Sequence, residues 1–199
     1  MILTNSIDPI LFKESIEKNN FLIVDNFFKD YVCFLLCKRM QLETKFQDFY
    51  RDYQIINYNL QDKFTNDLSI ELEYKFKHLK FLRAWSVIYN NEGSGTDFHI
   101  DPGSDITLNT WVTPDNSMKD NLNNGLILSK TFYEGDNING IPKESGKINL
   151  NEAINIPYKF NRAIFFKSNL LHKTNQVLTK KGHENKRVNY TMLFKTSAL

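Results

Sequence analysis

Four residues in this chain of 199 have the types and the spacing to do chemistry together: His99, Asp101, His172 and Arg187. In an extended strand residues i and i+2 project to the same side, so His99-Ile100-Asp101 would aim an imidazole and a carboxylate at one point while Phe98 and Ile100 turn into packing. Pro102 biases Asp101 away from helical torsions and helps to hold the pair extended. His172 stands 71 residues beyond Asp101, after a short apolar run and the turn Ser168-Asn169, which predicts a position at the start of a late strand. Two histidines and one carboxylate converging from different strands of a barrel form a facial triad, the set that binds one side of Fe(II) and leaves three positions open. Arg187 opens the stretch RVNYTMLF, in which Arg187, Asn189 and Thr191 share one strand face and Val188, Tyr190, Met192 and Phe194 share the other. A polar face on a strand otherwise fit for a core predicts a wet cavity. His-x-Asp alone arises by chance in chains of this length, and for it a surface pair is the commoner explanation; the ordered set of four carries the metal reading. For Arg187 the competing reading is a surface ion pair with Glu184.

These residues need a barrel to bring them together, and the chain from residue 81 onward has the texture of one. Short strands are predicted at 81–90, 96–101, 105–113, 125–130, 153–157, 162–167, 172–176 and 187–194, separated by polar turns. Eight antiparallel strands are the number that a jelly roll uses. The segments 114–124 and 133–151, rich in Asn, Asp, Gly, Lys and Ser, read as rim loops of the kind that hold lids and substrate contacts. Before residue 81 the pattern differs. Residues 21–28 (FLIVDNFF) suit a buried strand, and 29–49 a helix with Val32, Leu35, Leu36, Met40, Leu42 and Phe46 on one side and Asp30 as its N-cap. A second helix is predicted over 67–77, where Leu68, Leu72 and Phe76 recur every four residues. The fold class expected is mainly β with N-terminal helices, a double-stranded β-helix (jelly-roll) core at 81–199 and helix and strand support at 1–80, all in one domain spanning 1–199.

Composition narrows the function classes. With 41% hydrophobic and 24% charged residues the chain can bury a core, which excludes a disordered tail protein. Lys+Arg 25 against Asp+Glu 23 leaves a net charge of +2, without the basic block of a nucleic-acid arm. No nucleic-acid partner is expected. Cys33 and Cys37, four apart in a helical stretch, are badly placed for a disulfide and read as small buried apolar groups, pointing to a reducing, cytoplasmic setting. The first residues lack the charged and apolar regions of a signal peptide, and no apolar run approaches the roughly 20 residues of a membrane span. Glycine is scarce, 8 in all, yet Gly93, Gly95 and Gly103 flank the His-x-Asp triplet, where backbone freedom is called for.

The order His99-x-Asp101, His172, Arg187 resembles the Fe(II)- and 2-oxoglutarate-dependent dioxygenases. The likeness runs through AWSVIYNNEGSGTDFHIDPGSDITLNTWVTPD (84–115), NNGLILS (123–129), IPYKFNRAIFFKSNLLHKT (156–174) and ENKRVNYTMLF (184–194), and is similar to the prolyl-hydroxylase-like branch of bacterial oxygenases. It covers about residues 81–194. The resemblance implies that His99, Asp101 and His172 hold Fe(II), that 2-oxoglutarate and O2 complete the coordination, and that Arg187 pairs with the far carboxylate of the cosubstrate. Tyr89, Asn109 and Asn189 are the further candidates for cosubstrate contact; many members carry Ser where this chain has Asn189. Hydroxylation of a C–H bond of an amino acid, peptide or small molecule would follow, with release of succinate and CO2. Two rivals remain open: a cupin-like metal-binding jelly roll without redox chemistry, acting as an isomerase or small-ligand module, and an interaction domain that has kept the barrel. A barrel tyrosine such as Tyr89 is also compatible with a core role. Trp85 and Trp111 are expected in the core, with Trp111 on the face of Asn109 and so able to line the pocket. Arg83 shares the face of Trp85 and Tyr89, where it would meet an acidic substrate or form a structural ion pair. His78 and His183 are expected at the surface.

Overall fold

The computed structural model describes residues 1–4, 7–44, 46–56, 59–135, 137–138, 140–142 and 152–197. The N-terminal part contains α1 (Pro9–Asn19), β1 (Phe21–Val24), α2 (Asp30–Gln41), β2 (Asp48–Phe49), β3 (Tyr53–Ile56) and α3 (Lys63–Lys75). The strands that follow are β4 (Leu79–Tyr89), β5 (Glu92–Gly93), β6 (Ile106–Trp111), β7 (Leu126–Phe132), β8 (Asn137–Ile138) and β9 (Ile141–Pro142). The last are β10 (Ala153–Ile156), β11 (Arg162–Lys167), β12 (Leu170–Thr174), β13 (Val177–Leu178) and β14 (Val188–Thr196). They build a seven-stranded sheet in the order β1-β11-β6-β14-β4-β3-β2, a three-stranded sheet β10-β7-β12, and the pairs β13-β5 and β8-β9. Every pairing is antiparallel. This is the jelly roll expected, with β11-β6-β14-β4 as one wall and β10-β7-β12 facing it.

The fourth member of the smaller wall is not a regular strand. The sequence predicts a strand over 96–101, whereas the structure makes a single bridge there, His99 with His172. The two residues exchange N–H···O bonds of 2.9 Å each way, while the next N–H, that of Ile100, turns aside to the carbonyl of Gly140. Asp101 N–H then bonds Ser168 O at 2.9 Å. With Thr96 N–H bonded to Thr174 O at 3.2 Å, the arm divides its backbone bonds among four partners, which prevents a continuous ladder but pins it along its length.

The N-terminal part widens the larger sheet at both edges, β1 beside β11 and β3-β2 beside β4. Its helices cover the outer face. Phe12, Phe27, Phe28, Cys33, Leu36, Met40, Leu68 and Leu72 pack in one core with Ala84, Ile88, Leu108, Phe165, Val188, Tyr190, Met192 and Phe194. Alternation on the strands assigns the other positions inward: Trp111, Ile164 and Phe166 join a second cluster with Leu126, Leu128, Ile156 and Tyr158, and Val87 and Tyr89 a third with Ile55 and Val177.

Several local readings are corrected. Helix α1 was unexpected, although Asp8 caps it through a bond from Ile10 N–H and Pro9 occupies its first position. Asp30 is not the N-cap of α2; Lys29 holds the extended cap position and Asp30 is the first helical residue. That helix stops at Gln41 rather than running to 49, because Asp48 and Phe49 pair with Ile55 and Gln54 instead. Helix α3 starts four residues early, where the Asp62 carboxylate accepts from Thr65 N–H at 2.7 Å. Strand β1 ends at Val24, and β12 begins at Leu170, so His172 lies inside its strand. Of the second rim loop, residues 143–151 lie outside the described residues; its earlier part holds β8 and β9, and the first rim loop holds a 3-10 turn at Asp115–Ser117. Cys33 and Cys37 are buried and unpaired, and burial pushes both thiols up, so they stay protonated. Among the described residues no helix is long and apolar enough to cross a membrane.

Asn161 ties the two parts together. Its backbone is left-handed (φ 60°), a conformation that asparagine tolerates, and its buried amide accepts from Phe28 N–H and donates to Phe28 O, both at 2.8 Å. Asn161→Ala removes both bonds and leaves two buried backbone groups unpaired, so urea unfolding should show a loss of about 2–4 kcal/mol. Asn161→Gly should lose nearly as much, since it restores only the backbone freedom.

Candidate metal centre

The arm that carries His99 and Asp101 lies close against the end of β12. Gly95, at φ +81°, makes that possible: a Cβ there would sit 2.2 Å from Thr174 O and 2.3 Å from Asn175 O. Past this contact the His99–His172 bridge brings the two imidazoles to a ring separation of 4.3 Å. His99, Asp101 and His172 each offer one ligand atom, and these atoms lie within 4.8 Å of one another. His99 is half-buried, whereas Asp101 is 7% and His172 3% exposed.

Backbone carbonyls set the histidine tautomers. Nδ1 of His99 lies 2.8 Å from Asp97 O, and Nδ1 of His172 lies 2.9 Å from Leu170 O. A carbonyl only accepts, so each Nδ1 carries the proton and each Nε2 presents a lone pair. Nε2 of His172 then faces Asp101 Oδ2 at 3.4 Å. Burial, with His99 beside it, pulls the His172 pKa down to about 4 against the opposing pull of Asp101, so above that pH no proton lies between the two atoms. Two electron-rich atoms held face to face are the arrangement a cation relieves, and this donor set fits a divalent transition metal. Thr107 Oγ1 donates to Asp101 Oδ2 at 2.7 Å and lies 3.0 Å from Ser168 Oγ, which fixes the carboxylate. The edge of Phe166 against His172, 4.7 Å between centroids, fixes the imidazole.

Further along the same interior, Arg187 is fully buried at 0% exposure, and among the described residues none of its three nitrogens has a hydrogen-bond partner. The expected alternative, an ion pair with Glu184, is not formed. Its guanidinium lies over Tyr89 (4.7 Å to the ring centroid), Trp111 (5.4 Å) and Tyr158 (5.5 Å). Trp111 and Tyr158 are themselves stacked at 5.1 Å. Burial works against the charge, yet arginine does not give up its proton in proteins, so a cation without a counter-ion sits in an aromatic box. Tyr89 also spans the barrel: its hydroxyl lies 2.8 Å from Thr174 Oγ1, two residues beyond His172 on the same face of β12. The guanidinium and the triad therefore share one interior.

Between them lies a polar triangle. Asn189 Nδ2 donates to Asn109 Oδ1 and to Thr191 Oγ1, both at 2.9 Å, and Thr191 Oγ1 donates to Asn109 Oδ1 at 2.6 Å. Among the described residues Asn189 Oδ1 is left buried with no partner. The structure thus gathers His99, Asp101, His172, Arg187, Tyr89, Asn109 and Asn189 in one barrel, and adds Thr107, Tyr158 and Thr174, which sequence reasoning missed. Thr107 carried a signal, being on the inward alternation of Asn109 and Trp111; Tyr158 follows β10 in a loop and carried none. Trp111 lines the box instead of serving only the core. Trp85 is half-buried and Arg83 exposed. His183 is exposed as expected, but His78 is half-buried with its ring 5.6 Å from that of Phe12.

No family model matches the sequence, and no curated protein matches it either. Solved structures do. The epimerase SnoN, in complex with Fe3+, α-ketoglutarate and nogalamycin RO, aligns over 94% of this chain and 83% of its own, with a TM-score of 0.71 at 9% identity. HygX from Streptomyces hygroscopicus, with nickel and 2-oxoglutarate bound, covers 94% and 87%, with a TM-score of 0.67 at 8% identity. A Pseudomonas putida prolyl-4-hydroxylase covers 96% and 100%, with a TM-score of 0.58 at 10% identity. The chain therefore has the jelly-roll fold of the 2-oxoglutarate-dependent enzymes, including the prolyl-hydroxylase type.

A histidine in an unfolded chain titrates near 6.5, whereas His172 in the fold stays neutral down to about 4. The unfolded chain therefore binds more protons in that window, and the stability contributed by neutral His172 is present above about pH 6.5 and lost as pH falls through 4. Thermal melts of chelator-treated protein should show a midpoint falling over this range, and His172→Gln should flatten that fall. Parallel profiles for both proteins would contradict the assignment.

Proposed function

We propose that this chain is a non-haem Fe(II)- and 2-oxoglutarate-dependent dioxygenase, a member of the prolyl-hydroxylase-like branch of that superfamily, which hydroxylates an unactivated C–H bond. The observation that carries this reading is Arg187, a buried cation whose counter-ion is missing from the protein. Leaving a charge unpaired in such a place costs several kcal/mol, and an anionic ligand removes the penalty. A cupin-like metal site without an anionic cosubstrate has no use for it. Iron held by His99, Asp101 and His172, together with 2-oxoglutarate and O2, supplies the oxidising power for C–H hydroxylation, with succinate and CO2 released.

The protein's own part is to bind, orient and keep dry. Arg187 takes the far carboxylate through its planar fork, and a charge-assisted pair is strong where Tyr89, Trp111 and Tyr158 keep water out. Asn109, with its oxygen engaged by Asn189 and Thr191, keeps its amide N–H groups for the cosubstrate. Thr107 holds Asp101 in one orientation, and the Asp97 and Leu170 carbonyls hold the protons on Nδ1 so that both Nε2 atoms remain ligands. The core shared by the N-terminal helices and the barrel supports reading 1–199 as one functional unit. A small-molecule substrate is favoured over a peptide: SnoN was solved with nogalamycin RO and HygX with hygromycin B, and both have higher TM-scores than the prolyl-4-hydroxylase.

Anaerobic protein mixed with Fe(II) and 2-oxoglutarate should develop a weak visible charge-transfer band, and His99→Ala should abolish it. Absence of the band at saturating ligand would sink the reading. Arg187→Met should weaken 2-oxoglutarate binding at least about 100-fold, the range expected for truncating one partner of a buried charge pair, while the ligand-free variant melts higher than the parent because an unpaired charge has been replaced by an apolar side chain. Succinate formation in air separates an active enzyme from a barrel that serves only as an interaction domain.

A further inference from the structure

Arg187 lies just beyond both ladders of β14. The pairing with β6 begins at Asn189 opposite Trp111, and the pairing with β4 begins at Val188 opposite Ile88. Among the described residues the guanidinium has no hydrogen-bond partner, so its aim is set by its backbone and by the rings around it. On the β4 side that backbone is held by the bond from Tyr89 N–H to Arg187 O at 2.9 Å. On the β6 side the last backbone bond is Val112 N–H to Val188 O, at 3.3 Å. A side chain takes over there.

That side chain is Thr113, fully buried two residues past the end of β6. Its Oγ1 donates to Lys186 O at 3.0 Å and accepts from Val188 N–H at 2.9 Å, so one hydroxyl grips the chain on both sides of Arg187. The hydroxyl proton is thereby used, and Cys37, whose Sγ lies 3.7 Å away, is the donor in that contact. The Thr113 hydroxyl thus has no bonding capacity left for a ligand. Its carbonyl serves the other half of the arrangement. It accepts from the Tyr158 hydroxyl at 2.6 Å, and Tyr158 is the ring stacked on Trp111 beside the guanidinium. Buried Gln41, at the end of α2, also donates to Lys186 O at 3.3 Å and to Glu184 O at 2.9 Å, but it acts on the preceding turn. Thr113 acts on both flanks of the arginine and on one wall of its box.

We infer that Thr113 is the positioning residue for the Arg187 cation, its hydroxyl and carbonyl together fixing where the anion is received. The inference rests on the reading of Arg187 as the anchor of the cosubstrate, and the two can fail separately. In full-length 15N-labelled protein loaded with Zn(II), the Arg187 Nε–H signal, assigned by Arg187→Met, should stand apart from those of exposed arginines because three rings face it. Thr113→Val keeps the shape and removes the hydroxyl; it should move this signal toward theirs, and Thr113→Ser should restore it. In anaerobic protein with Fe(II), titration of the charge-transfer band should show 2-oxoglutarate binding about tenfold more weakly to Thr113→Val, as when a partner that orients a binding group is lost. Thr113→Ser should bind it as the parent does. Co(II) affinity, read from its visible bands, should be the same in all three proteins. Thr65→Val is the control for a merely structural loss, since it removes a buried hydroxyl contact of 2.6 Å to Tyr190 on the outer face of the same strand. It should lower the melting midpoint and leave the Nε–H signal and the affinity unchanged. A signal or an affinity indifferent to Thr113→Val, or losses as large in Thr113→Ser or Thr65→Val, overturns the inference and leaves the cosubstrate reading standing. If the parent binds no 2-oxoglutarate the cosubstrate reading falls, and the Nε–H signal still decides whether Thr113 positions the cation.

Discussion

The guanidinium of Arg187, buried without a counter-ion among three aromatic rings, is the constraint to which the rest of the barrel answers. Water would solvate that charge better than any ring, so the protein must place it by force of surrounding structure. Its backbone is locked by the bond from Tyr89 N–H to Arg187 O at the head of β14, the middle strand of the seven, paired with β4 over 188–196 and with β6 over 189–194. The outer core of helices and Phe residues holds that strand from behind. Rigidity here is what allows an unfavourable charge to persist in the interior.

The interior is accordingly zoned. Apolar clusters occupy its two flanks, one around Trp111, Ile164 and Phe166 and the other around Val87 and Val177, while Thr107, Asn109, Asn189 and Thr191 run between them toward the triad. This channel has dry walls, one cation at its inner end and the side chains of His99, Asp101 and His172 at the other. The arm with His99 and Asp101 completes the channel from outside the regular ladders, held by bonds to His172, Gly140 and Ser168. Placing two ligands on an arm and the third on a sheet strand makes the geometry of the triad depend on how that arm seats.

Much of this was legible because strand alternation speaks for both faces at once. The pattern RVNYTMLF alone sorts Arg187, Asn189 and Thr191 to one side and Val188, Tyr190 and Met192 to the other, and the fold places the second set in the outer core. The strands at β4, β6, β7, β10, β11 and β14 were found within a few residues for the same reason. Local signals failed where distant pairing decided: helix α2 gives way to the β2-β3 hairpin, and the 96–101 arm is bonded to four partners that lie far away in sequence. Tyr158 could not be found, since a tyrosine in a loop carries no mark of the cation it will face. Helix α1, by contrast, was marked by Asp8-Pro9 and overlooked.

The alternation on β14 has one more consequence. Its inward residues are polar and its outward residues bear the hydrophobic core, in strict turn along the strand. A slip of one residue exchanges every side chain between the two faces. Val188, Tyr190 and Met192 would then fill the channel, and Arg187 and Asn189 would be driven among the helices. Insertions and deletions in this strand are thus opposed twice over, once by the core on its outer face and once by the polar residues on its inner face, so the two demands protect a single reading frame of the backbone.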